Sequence, residues 1–179
     1  SLIEVLISIL ILSFGVLAMG GLQLATLKSN QIAGNSSLAA TLAKDYTEMM
    51  RSNWLVSNNT STVAGVNPYL FDSDSITKSS TYCTSTTTVA SIAALHVADW
   101  AQRVSCQLPS ARAVVCRDPA PRNADGSYRW GCGTNDSPTV SIKIGWIDKR
   151  DSIERGTTTV SATPLNPQLV MSGMTGYAE

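Results

Sequence analysis

The sequence predicts an α+β protein: one long N-terminal helix packed against a small antiparallel β-sheet head. Three observations carry that expectation. The stretch VLISILILSFGVLAMGGLQLATL, from Val5 to Leu27, contains no ionisable side chain. The next stretch, up to Trp54, has no proline and places apolar residues at helical spacing. Beyond residue 110, turn-rich segments alternate with short β-patterned runs. The chain therefore divides into an apolar helix (1–27), the amphipathic half of the same helix (28–54) and a polar, disulfide-containing head (55–179).

The apolar run comes first. At 1.5 Å per residue it is about 34 Å long, enough to cross a bilayer core of roughly 30 Å. A secretory signal would carry a basic n-region and a small-residue cleavage site. Here Glu4 stands where a lysine or arginine belongs, so a retained segment is expected. A carboxylate beside lipid is costly unless neutralised, paired or held at the interface. The amine of the same or a neighbouring chain is the cation within reach. Such a pair adds little net stability because desolvation offsets its attraction, but it fixes register. Leu2, Ile3, Val5, Leu6, Ile9, Leu10, Phe14 and Leu17 are the expected membrane and core-forming surface. Gly15, Gly20 and Gly21 permit close backbone approach, and Gly20-Gly21 is the candidate position for local unwinding.

The helix is expected to continue from about Leu2 to Trp54. Leu38, Leu42, Tyr46 and Met49 step by four, four and three residues, with Met50 and Trp54 beside them. Lys44 and Glu48 are placed to pair across one turn. This stripe should lie on the sheet.

The head reads as loop from Leu55 to Ser80, then as helix from Thr88 to Val104, with Val89, Ala93, Val97, Trp100 and Val104 on one face. "ARAVVCR" is a short strand, and Asp125-Gly126 suits a tight hairpin turn. "TVSIKIGWI" is the clearest strand. Its alternation predicts Val140, Ile142, Ile144 and Trp146 on the core, with Ser141, Lys143 and Gly145 in water. "TTTVSAT" is a further candidate strand. The tail from Pro164 carries no strong signal.

Composition limits the chemistry. The 13 basic and 13 acidic residues cancel, so net charge gives no reason to expect a nucleic-acid partner. Arg103, Arg112, Arg117, Arg122 and Arg129 cluster in sequence, without an aromatic stacking platform or a nucleic-acid motif. The single histidine, His96, excludes a histidine-based metal cluster and reads as a core-edge or surface residue. Asp72 and Asp74 in "FDSDS" lack the rest of a calcium loop. Asn35, Asn58 and Asn59 match glycosylation triplets of a kind common in Ser/Thr-rich chains. There is no nucleophile elbow, zinc helix or phosphate loop. No enzyme activity, metal or cofactor is expected. Cys83, Cys106, Cys116 and Cys132 form no CxxC pair and fit disulfides in an oxidising compartment. Three full pairings exist, and Cys83–Cys132 with Cys106–Cys116 is the preferred one.

"SLIEVLISILILSFGVLAMGGLQ" closely resembles the stem of the type IV pilin superfamily. "HVADWAQRVSCQLPSARAVVC" and "TVSIKIGW", in that order, make the chain most similar to minor pilins of the PilV class, also called type IV pilus modification proteins. The family's frequent mid-helix proline is absent; Gly20 and Gly21 occupy roughly that region. In that family the glutamate is the fifth residue of the processed chain and here Glu4 is the fourth, an offset that one further, N-methylated residue ahead of Ser1 or an altered cleavage site would explain. The resemblance implies a leader cut and methylated by the prepilin peptidase. It also implies an inner-membrane anchor with a periplasmic head, then extraction into an extracellular filament beside other major and minor pilins. Glu4 would serve subunit recognition and register. The implied role is pilus assembly or initiation at the filament tip. A type II secretion pseudopilin shares the same stem and is the alternative. A DNA- or surface-binding pilin using the arginine-rich head is a further one.

Overall fold

The long stem forms as one uninterrupted α-helix, α1, Leu2–Ser52. The computed structural model describes residues 1–58, 67–72, 92–133, 139–147, 164 and 166–174. The chain divides into two compact units, Ser1–Ser37 and Leu38–Glu179, and α1 passes from one into the other. In the first unit α1 runs straight through Gly20 and Gly21, so neither is a point of unwinding in the single chain. The helix stops two residues before the expected Trp54. Asn53 leaves helical geometry at φ −128°, ψ 55°, and a single turn, α2, follows over Trp54–Ser57. Trp54 is consequently exposed rather than part of the apolar stripe.

The second unit is a helical layer on a four-stranded sheet. Its described elements are the end of α1, α3 over Ile92–Gln107, and strands β1 (Phe71–Asp72), β2 (Arg112–Arg117), β3 (Thr139–Gly145) and β4 (Leu169–Met174). Strand order is β1-β2-β3-β4, and every neighbouring pair is antiparallel. β2 and β3 arise from the expected runs. β4 lies in the tail that showed no signal, and β1 lies in a stretch read as loop. Both are specified by pairing: Ile142 faces Met171 across one ladder and Val115 across the other, while Val115 faces Phe71. The strand expected at "TTTVSAT" lies outside the described residues.

The core sits between the helices and one sheet face. Leu42, Tyr46 and Met50 are buried with Val115, Val140, Ile142 and Ile144. Ala39 and Ala43 are fully buried, and their small side chains bring the α1 backbone close to its neighbours. α3 buries Ala93, Trp100, Ala101 and Val104, a 3.6-residue stripe like the one foreseen, and extends three residues further to Gln107. Tyr46 joins the layers. Its ring lies 4.5 Å from that of Trp100 and 6.1 Å from Phe71, and its hydroxyl donates to the Tyr69 carbonyl at 2.8 Å. The Trp100 indole N–H donates at 2.7 Å to the Leu42 carbonyl, locking α3 across α1. Glu48 pairs with Arg51 at 3.3 Å, not with Lys44.

The opposite face of the sheet departs most from expectation. Ser141, Lys143 and Gly145 are buried, not wet. The segment after β2, residues 118–133, folds back over them. It narrows to a turn in which Arg122 bridges Tyr128 and Gly126 takes φ +85°, as Asp125-Gly126 suggested. It closes through a disulfide between Cys116 and Cys132, with Cα atoms 6.0 Å apart. This overturns both preferred pairings. Strand alternation supplies the reason. Val115 faces the helical layer that carries Cys106, so Cys116 faces away from it, where the returning loop brings Cys132. Cys106 is disulfide-bonded as well. Cys83 lies outside the described residues.

Candidate functional site

The first unit presents the most unusual surface of the chain. Leu2, Ile3, Val5, Leu6, Ile9, Leu10, Phe14 and Leu17 are each more than half exposed; Phe14 keeps 65% and Leu17 72% of its accessible surface. They belong to a set of sixteen large apolar residues exposed between Leu2 and Leu27. The span is long and apolar enough to cross a membrane, and its most apolar window buries nothing inside the chain. Each such side chain gains on the order of 1 kcal/mol or more on leaving water, so the whole surface is worth tens of kcal/mol. A soluble monomer does not leave a patch of this size uncovered. Lipid is one environment that satisfies it, because a helix meets its own backbone hydrogen bonds.

Glu4 stands at the head of this surface with its carboxylate 81% exposed. The Ser1 amine is 3.6 Å from Glu4 Oε2, also exposed. Ser8 Oγ donates to the Glu4 carbonyl at 2.7 Å, and Ser13 Oγ to the Leu10 carbonyl at 2.8 Å. The serine hydroxyls are thus satisfied by their own helix and present little polarity to a neighbour. A side chain added at Gly15, Gly20 or Gly21 would meet nothing within 4 Å. Among the described residues, nothing of the chain's own packs on these glycines.

In the second unit the structure gathers charge that the sequence left unassigned. Lys143 and Asp118 are both fully buried and meet at 2.6 Å. Lys143 Nζ also donates to the Gly131 carbonyl at 2.6 Å. Asp118 accepts from the Ala120 N–H at 3.1 Å and lies 3.5 Å from the Arg129 guanidinium. Burial alone pushes the Asp118 carboxyl up. The hydrogen bonds from Lys143 and Ala120, with the charges of Lys143 and Arg129, outweigh it and hold the carboxyl below its usual range. Ser141 Oγ donates to the Asp118 carbonyl at 2.7 Å and completes the cluster.

The other arginines are engaged within the chain. Arg103 contacts Asp45 at 3.2 Å and Asp99 at 3.1 Å. Arg112 contacts Asp72 at 3.3 Å and stacks 4.5 Å over Trp130. Arg122 stacks 4.2 Å over Tyr128. Arg117 is buried on the helical side of the sheet. The five do not form one basic face. His96 sits at the core edge, its Nδ1 3.1 Å from the Tyr69 hydroxyl. Among the described residues no three His, Cys, Asp or Glu side chains converge as metal ligands. Asp74 lies outside the described residues, and Asp72 is spent on Arg112. The Lys143–Asp118 cluster is the feature that sequence reasoning missed. Its signal was a lysine in the middle of the strongest strand and an aspartate directly after the preceding strand. The chain matches no family model, no curated protein and no solved structure.

Proposed function

We propose that this chain is a minor pilin that takes part in type IV pilus assembly or initiation. Its stem anchors the subunit in the inner membrane with the head in the periplasm, then packs among the helices of other major and minor pilins in the extracellular filament. The single observation that supports this reading is a membrane-length apolar helix with none of that surface buried by its own chain, continuous with a helix that builds the core of the head. A partner that covers tens of kcal/mol of apolar surface is required, and both lipid and neighbouring stems provide it. Glu4 has the position and exposure to meet an amine of a neighbouring stem and set its register. The role is structural, with prepilin peptidase acting on the chain during maturation.

The test is quantitative subunit counting in purified filaments, alongside the Glu4→Ala variant. A few copies per filament, concentrated at one end, support a tip-located minor subunit. The variant stays in the membrane fraction but loses crosslinks to neighbouring pilins. Absence from filaments with recovery beside a secretion apparatus would shift the assignment to a pseudopilin. Normal crosslinking and incorporation of Glu4→Ala would remove the register role.

A further inference from the structure

We propose that Cys116–Cys132 is a redox latch. Oxidised, it seals Lys143 under the loop 118–133. Reduced, it releases that loop and turns the outer sheet face into accessible surface carrying a free amine. The chain of contacts is direct. Cys132 is joined to Cys116 on β2. Its neighbour Gly131 places a carbonyl 2.6 Å from Lys143 Nζ. The same loop starts at Asp118, the other partner of Lys143.

Apart from the disulfide, the loop is held by polar contacts and one aromatic anchor. From Pro119 to Gly133 no residue is fully buried. Trp130 supplies the main non-covalent anchor: it packs against Gly145, receives the Arg112 guanidinium on its face, and donates to the Pro164 carbonyl at 3.1 Å. A segment with so few buried apolar contacts opens locally at a small fraction of the global stability. The covalent closure therefore decides whether the cover stays shut.

The chemistry needs an external dithiol. One thiolate attacks the exposed Cys132 sulfur, the S–S bond breaks, and Cys116 leaves as a thiolate that takes up a proton. The second thiol of the reductant then resolves the mixed disulfide. Two electrons and two protons pass to the protein, and the dithiol leaves oxidised. Nothing in the step depends on the membrane or filament reading.

The test measures Lys143 reactivity on the full-length protein in detergent. An amine-acylating reagent is applied briefly, and peptide mass spectrometry reads modification of Lys143 relative to exposed Lys44. In Cys116→Ser/Cys132→Ser, Lys143 labelling should rise about tenfold or more relative to Lys44, as expected for a locally opening segment. Trypsin should gain cleavage after Arg122 or Arg129. Far-UV dichroism, which release of Trp130 and of the bridge leaves largely unchanged, reports that the helices and sheet persist. Unchanged labelling in a folded variant overturns the latch. If the variant does not fold, graded reduction of the natural protein decides, with alkylation identifying which bridge has opened. Lys143 reactivity that rises with Cys116 and Cys132 alkylation, before the far-UV signal falls, supports the latch. Reactivity that rises only with the loss of that signal overturns it.

Discussion

Replacing Lys143 with Met tests whether the buried pair matters to the head. The substitution conserves length and apolar stem but removes the ammonium. Asp118 is then left with the Ala120 N–H at 3.1 Å and Arg129 at 3.5 Å, inside a site with no solvent exposure. Breaking a buried pair by removing one partner costs about 3–5 kcal/mol. Because Arg129 still opposes the charge, the lower end applies, about 3 kcal/mol, or a fall in melting temperature of roughly 10 °C for a head of this size. The pH dependence adds an independent reading. Asp118 titrates lower in the folded head than in the unfolded chain. Its contribution is therefore fully present above the unfolded carboxyl pKa of about 3.9, and is lost as pH falls through the folded value. The natural protein should lose stability steeply below about pH 4, and the variant more gradually, so that their melting curves converge in acid. Thermal denaturation of both proteins in detergent between neutral and acid pH measures this. Melting temperatures within two or three degrees of each other at neutral pH would refute the reasoning, as would a constant gap at every pH.

The remaining expectations use the same assay or simple mass measurement. Leu42→Asp places a charge in the core, where Leu42 is 2% exposed, and should cost at least about 4 kcal/mol; Leu10→Ala, on the uncovered stem, should leave the head's melting unchanged. Equal melting for Leu42→Asp and the natural chain would mean that α1 does not cover the sheet. Gly145→Ala puts a methyl 2.7 Å from the Trp130 ring and should cost about 1–3 kcal/mol as the ring is forced off the sheet. A neutral effect would show that Trp130 is not seated there. Alkylation under non-reducing conditions should leave Cys106, Cys116 and Cys132 unmodified and recover a Cys116–Cys132 linked peptide. A peptide joining Cys106 to Cys116 would contradict the register of β2.

What the sequence made legible follows from the scale of each signal. The stem and the stripe of Leu38, Leu42 and Tyr46 were readable because helix periodicity repeats over many turns and no proline interrupts it. β2 and β3 were readable as strands, and the Asp125-Gly126 turn from its chemistry. β1 and β4 were not. Two residues of β1 carry no period, and β4, LVMSGM, owes its conformation to a ladder with β3 that local sequence does not encode. The disulfide was misassigned for a related reason. Short loop length favoured Cys106–Cys116, whereas strand parity sends Cys116 to the face opposite the helices. Wetting of β3's second face was misjudged because alternation shows that the two faces differ, not that one is in water. Ser141, Lys143 and Gly145 suit a polar, tight covering loop as well as they suit solvent. The cover announced itself through Trp130 and Cys132, a large aromatic and a cysteine in a turn-rich stretch.

The two burials in this chain use opposite logic. In the head, a charged lysine is enclosed by the protein's own loop, with an aspartate, a backbone carbonyl and a disulfide to keep it there. In the stem, side chains that would gain from burial receive none. Through this segment α1 is one continuous helix. Regular hydrogen bonding through Gly20 and Gly21 keeps the apolar side chains directed outward all round, with no face reserved for the chain's own use. A surface without a preferred face suits an environment that surrounds it. Lipid surrounds a single helix evenly, and a bundle of equivalent stems can surround it from several sides. Glu4 breaks that even surface at one point, with its carboxylate exposed. Under the proposed minor-pilin role, assembly would exchange one apolar surrounding of the stem for another.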